Sequence, residues 1–293
     1  MTQKLPRRAA QDRHLPPPPG PPWDLPMSEA PLCFLDLEMT GLRPETDRVI
    51  ELCLVRAEGP RETGSLSSLV RPACGSFGNG HVHGIRAEDL EGAPTFAELA
   101  PQVEALLDGA IPVAHAAVWD VAFLEAELAR AGRPRTIEHF LDTLVLSRRS
   151  FAQPSHRLTA LTAALGIEHP QAHRAGDDVK ALRGLFRVIE GALSPRTPRD
   201  LWHVRVGERH ARPDLVEAAR ASIGRPVRIR YRPSHRAPEE LCFTVTGVRT
   251  DLDPPRVLGY LLPSRSRREL RADRILAIEG AEPPLPSGGG TRA

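Results

Sequence analysis

The chain has 293 residues, 41% of them hydrophobic and 26% charged, which is enough apolar content for one large core or two ordinary ones. No apolar run approaches the ~18 residues of a membrane-spanning helix, so no membrane span is expected, and none of Cys33, Cys53, Cys74 and Cys242 sits in a C-x-x-C pair, which speaks against a zinc ribbon or a dithiol redox motif. The net charge of +2 conceals a segregation: residues 30–194 carry 16 Lys+Arg against 22 Asp+Glu, whereas 195–280 carry 18 arginines against 11 acids. A basic segment joined to an acidic one points to a polyanionic partner.

In chain order, the N-terminus is basic and then proline-rich ("HLPPPPGPPWDLP") without an apolar signal-peptide region, so a cytoplasmic protein with a disordered arm over 1–29 is expected. "LCFLDLE", "DRVIELCLVRA" and "TGSLSSLVRP" read as three strands joined by short turns, an antiparallel meander. Phe96, Leu99, Val103, Leu106 and Leu107 then recur at three- and four-residue steps, a helix. "IPVAHA" is a short buried strand, "DVAFLEAELARAG" a helix that ends on glycine, and "LDTLVLSRRS" a further strand or helix start. "RLTALTAALGI" and "DDVKALRGLFRVIEGAL" are helices. Three strands followed by alternating helices and strands predict a mixed α/β sheet.

Residues 195–213 read as a linker with a transient ordered patch. "DLVEAARASIG" is a short helix, and five short alternating segments over 226–280 predict a small β-barrel or curled sheet. Residues 281–293 read as a disordered tail.

Asp36 and Glu38 are two apart in a strand and therefore share one face. Side by side they repel unless a cation lies between them, and hard ions with oxygen ligands, Mg²⁺ or Mn²⁺, are the natural partners. The alternative is a half-exposed surface pair. Asp120 at a helix start has an N-cap as its plain reading, Asp177 and Asp178 have that of first-turn helix acids, and His173 that of a solvated loop histidine.

Together, "FLDLEMTGL", "AHAAVWDVAFL" and "HRAGDD" resemble, in order and spacing, the three motifs of the DEDDh 3′–5′ exonucleases, relatives of the proofreading subunit of replicative polymerases. The resemblance covers about residues 31–190 and implies an RNase H-like mixed β-sheet flanked by helices over 30–194. It places the metal-binding acids on Asp36, Glu38, Asp120 and Asp178, with two divalent cations, and the general base on His173. Asp177 is i+4 from His173, but the family spacing selects Asp178. An i,i+5 pair lies about 140° apart on one helix, so His173 belongs on the loop before it. Met39, Thr40, Gly41 and Leu42 fall on the segment that contacts the terminal nucleotide, and His83 on a substrate-side or turn-stabilising histidine. The sequence departs from the second motif at Ala116, where the family has asparagine, and carries Trp119 as its aromatic.

"RPVRIRYRPS" and "RELRADRILAI" resemble a WYL-like domain, a small Sm/SH3-like β-barrel, over about 214–280. That implies an arginine-lined site for nucleic acid or a nucleotide ligand, with Tyr231, Tyr260, Arg268, Arg271 and Arg274 as candidates; structural tyrosines in a barrel with arginines outside are the alternative. The expected activity is metal-dependent 3′–5′ hydrolysis of DNA, preferably single-stranded, with release of nucleoside 5′-monophosphates. The alternatives are an exoribonuclease or oligoribonuclease and a silent nucleic-acid-binding regulator. A polymerase partner has no support of its own in these residues.

Overall fold

A computed structural model describes residues 16–73, 83–151, 153–206, 211–233, 238–252 and 254–280. The chain divides into two compact units, 1–207 and 208–293. The expected disorder of residues 1–15 and 281–293 falls outside the described residues.

The first unit is built on a five-stranded sheet of order β3-β2-β1-β4-β5. Its strands are β1 (Pro31–Met39), β2 (Val49–Glu58), β3 (Arg61–Leu69), β4 (Ile111–Ala114) and β5 (Leu141–Asp142). β1, β2 and β3 pair antiparallel as a meander, whereas β4 joins β1 and β5 joins β4 in parallel. Central β1 is therefore covered on both faces, and its side chains divide by parity. Cys33, Leu35 and Leu37 enter a core shared with α1 (Phe96–Leu107) and α2 (Val118–Arg130), through Phe96, Val103, Phe123 and Leu124. Leu32, Phe34, Asp36 and Glu38 point the other way, where Phe34 meets Phe186 of α5 (Ala175–Leu193) edge-on at 5.3 Å. α3 (Thr143–Ser150) and α4 (Leu158–Leu165) lie between α2 and α5 in the chain.

The sequence reading needs two corrections in this unit. Residues 16–29, expected to be disordered, are a strap pinned by Trp23, which is 4% exposed and packs edge-on to Trp202 and His139. Residues 198–206, expected to be linker with only a transient ordered patch, form α6 (Pro198–Val206), whose Leu201 and Trp202 are fully buried. The two segments fix each other: Arg199 donates to the Pro17 and Pro18 carbonyls and to Asp24. Prolines without N–H groups cannot build a ladder, but their carbonyls still accept, and one arginine collects two of them.

The second unit has α7 (Pro213–Ala221) and strands β6 (Pro226–Tyr231), β7 (Glu239–Arg249), β8 (Arg256–Leu261), β9 (Ser266–Arg271) and β10 (Ile275–Gly280), in the order β10-β6-β7-β8-β9. All pairs are antiparallel. Of the two shapes expected, a small barrel or a curled sheet, the barrel is not seen: among the described residues the end strands β9 and β10 do not pair, and the sheet is open. α7 covers its apolar face instead, adding Leu215 and Ala219 to a core of Val227, Ile229, Phe243, Val245 and Val257. Gly259 is required in β8, because a Cβ there would fall 2.0 Å from the Thr244 carbonyl oxygen.

Candidate active site

β1 delivers two carboxylates and α5 a third. The carboxylate oxygens of Asp36, Glu38 and Asp178 lie within 4.8 Å of one another. Among the described residues the Asp36 and Glu38 carboxylates accept no hydrogen bond from the protein, and the charge of Arg174 offsets only part of the crowding at Glu38. Burial first, then Asp120, Asp178 and Glu38, holds the Asp36 carboxyl well above its ordinary range. Burial, then Asp178 and Glu51, pushes Glu38 up to about 8. Asp178 is likewise raised by burial, against the hydrogen bond from His169. Such a cluster keeps protons that a divalent cation would replace, and an all-carboxylate donor set suits a hard cation.

Asp120 stands beside this closest set. α2 begins at Val118, so Asp120 is in its first turn rather than its N-cap. It is 6% exposed, its Oδ1 accepts the Leu37 N–H at 3.2 Å, and burial raises its carboxyl strongly. The turn that aims it passes through Ala116 at φ +65°, a left-handed conformation that asparagine tolerates better than alanine. The Ala116 N–H is held by Asp142 Oδ1 at 3.1 Å, and the same carboxylate caps α3 through the Leu144 N–H at 2.9 Å.

His173 lies two residues before α5, exposed, at φ +63°. Its imidazole and backbone N–H both lower the Asp178 carboxyl, so it sits on the acid side of the turn. Asp177 instead pairs outward with Lys180 at 3.2 Å.

Thr40 is buried, and its Oγ1 accepts the Arg48 N–H at 3.0 Å, which closes the loop after β1. A Cβ on Gly41 would collide with the Asp47 carboxylate. Met39 packs against the core and Leu42 is 40% exposed. The loop is braced by Glu127, 1% exposed, which takes a two-pronged ion pair from Arg48 at 2.6 and 2.7 Å. His83 is buried, its Nδ1 accepting the Ile85 N–H at 3.1 Å, the geometry of a turn-stabilising histidine.

The sequence reading missed three groups beside the acids. Glu51 faces Glu38 across the β1–β2 ladder and is gripped by Arg174. His169 Nε2 lies 2.6 Å from Asp178 Oδ1. Asp142 ties the second motif to α3. Glu51 carried a readable signal, a carboxylate inside the apolar run "VIELCLV"; His169 and Asp142 carried none.

In the second unit the arginine and tyrosine candidates separate by strand parity. Tyr260 is 39% exposed and sits between Thr244 and Arg267 on the outer sheet face, which Arg228, Arg256 and Arg271 share. Tyr231 packs against the core and Arg268 is on the opposite face. Arg271 is bound by Asp273 at 2.7 Å, and Arg274 lies in the 3₁₀ turn Ala272–Arg274.

A meander-plus-parallel sheet that concentrates carboxylates on its central strand and first-turn helix acids around them is the architecture of a 3′–5′ exonuclease domain. Comparison with known proteins agrees: the Exonuclease family model matches residues 33–186, and the chain belongs to that family. It is 30% identical over 158 residues to the DNA polymerase III subunit epsilon of Treponema pallidum, covering 53% of this chain and 74% of that one. It is 29% identical over 169 residues to the PolC-type DNA polymerase III of Thermotoga maritima; the match covers 57% of this chain but only 12% of that much longer relative. E. coli exonuclease I in complex with a dA16 oligonucleotide shares the fold, with a TM-score of 0.52 at 18% identity over 79% of this chain and 55% of that one.

Proposed function

We propose that the protein is a divalent-cation-dependent 3′–5′ exonuclease that shortens DNA, preferring single strands, and releases nucleoside 5′-monophosphates. The observation that carries this is the convergence of Asp36, Glu38 and Asp178 within 4.8 Å, with carboxyl groups raised by burial and by one another. These three, with Asp120, would hold two cations, Mg²⁺ or Mn²⁺, which when bound neutralise the scissile phosphate and activate the attacking water. His173, exposed on the turn that precedes Asp178, would take the proton from that water, the role of an imidazole general base. Met39–Leu42 lie alongside the terminal nucleotide, with Leu42 offering apolar surface to its base. The DNA preference draws on the oligonucleotide bound by the exonuclease I neighbour and on the name of the epsilon-subunit relative; a polymerase partner rests on that name alone.

In the second unit, the outer sheet face offers Tyr260 for stacking beside Arg267, with Arg228 farther across the same face, for phosphates. This face would hold the strand being degraded, or a nucleotide ligand in the manner of the WYL-like domains it resembles.

A single-stranded oligonucleotide labelled at its 5′ end should shorten stepwise from its 3′ end in Mn²⁺, and EDTA or Asp36→Ala should abolish this. Full-speed degradation by Asp36→Ala would sink the site assignment. Matched RNA and duplex DNA in the same assay rank the substrates.

A further inference from the structure

We propose that Glu51 and Arg174 are a positioning pair that sets the turn carrying His173, and that Glu51 is not a metal ligand despite its place beside the cluster. This rests on the exonuclease reading above.

Glu51 is 5% exposed and stands directly opposite Glu38. By position alone it is a fifth acid of the site. Its hydrogen bonding says otherwise. Oε1 accepts from Arg174 Nε at 3.2 Å and Nη2 at 2.9 Å, and Oε2 accepts from Arg174 Nε at 3.2 Å and the Ala175 N–H at 3.2 Å. A carboxylate has about four lone-pair sites, and here three N–H donors make four contacts to it, the single Arg174 Nε–H being shared between the two oxygens. Asp36 and Glu38, which accept nothing among the described residues, are in the opposite condition.

The grip lands at a sensitive point. Arg174 is the N-cap residue of α5, and Ala175 its first residue. His173, one residue earlier, has a left-handed backbone that costs about 1–2 kcal/mol in a non-glycine residue, and such a conformation persists only where the surroundings enforce it. The His173 side chain is exposed, so packing does not enforce it. The adjoining residues are clamped to β2 instead, by one side-chain fork and one backbone N–H. Through that clamp the strand opposite β1 fixes the direction in which His173 leaves the chain and, five residues on, the position of Asp178.

The test is a pair of double-mutant cycles with three readouts. Arg174→Gln and Glu51→Gln should each lower kcat 10- to 100-fold with KM changed less than twofold, and the double variant should be no worse than either alone. In a His173→Ala background Arg174→Gln should cost less than twofold more. The Mn²⁺-induced rise in Tm should survive in all of them, and hydrogen exchange of the 172–177 amides should accelerate at least tenfold. Arg174→Lys keeps the charge without the fork and should still lose most of kcat; it serves if the glutamine variants fold poorly.

Loss of the Mn²⁺ response in Glu51→Gln alone would make Glu51 a ligand and overturn the proposal. Additive losses with His173→Ala, wild-type kcat in Arg174→Lys, or unchanged amide exchange would each do the same. A wild-type protein that cleaves no substrate would defeat the exonuclease reading, and the exchange measurement would still decide whether the pair holds the turn.

Discussion

Replacing Glu38 by glutamine should stabilise the metal-free protein at pH 8 and flatten part of its pH dependence. The Glu38 carboxyl is raised from 4.5 to about 8, mostly by burial. The folded state therefore holds a proton that the unfolded chain releases. This favours folding fully below about pH 4.5 and is lost as pH climbs toward 8. A shift of three to four units at about 1.36 kcal/mol each sets a ceiling of roughly 5 kcal/mol. Glu38 is partly open to water, whose screening leaves about 1–2 kcal/mol to be measured. For a unit of this size that is roughly 2–8 °C in Tm. Thermal melts in EDTA from pH 5 to 8 should show the wild type losing this much more than Glu38→Gln, with saturating Mn²⁺ restoring only the wild type. Superimposable pH profiles for the two proteins would refute the crowded-carboxylate reasoning.

Ala116→Asn should stabilise by about 0.5–1 kcal/mol in urea titrations, since asparagine tolerates the left-handed turn; a loss of stability would show the turn is not strained. Glu127→Gln breaks a buried ion pair and should cost about 3–5 kcal/mol. Because Arg48 braces the Thr40 loop, KM for an oligonucleotide should rise more than kcat falls. Trp23→Ala should cost about 3–5 kcal/mol and open residues 16–29 to limited proteolysis; an unchanged digestion pattern would contradict the strap.

The sheet was legible because the side-chain period of a strand is fixed at two, whereas the candidate metal acids were singled out only by their resemblance to the three exonuclease motifs. Once "FLDLE" is a strand, Asp36 and Glu38 must share a face, and once the family resemblance selects Asp178 over Asp177, helix geometry puts His173 before α5. The strap and α6 were not legible. Proline density marks a segment that cannot supply its own ladder, but Trp23, Trp202 and Arg199 hold it by long-range contacts that no local pattern encodes. The same limit hid His169 and Asp142, whose partners are distant or depend on a particular turn; Glu51 was readable as a carboxylate in an apolar strand, but its Arg174 partner was not. In the second unit strand alternation was readable, but closure was not, since it depends on whether a fifth pairing or a helix covers the apolar face. Tyr231 and Tyr260 differ by parity, and parity cannot be assigned before register.

The division of β1 by parity also makes the candidate site self-checking. Leu35 and Leu37 fill the core on the side opposite Asp36 and Glu38, so a slip of one residue against β2 would exchange them. Two carboxylates would enter hydrocarbon and two leucines would enter the cluster. A mispaired chain could not then assemble the proposed cation site, and the proposed nuclease activity would stay silent until the central strand is correctly paired.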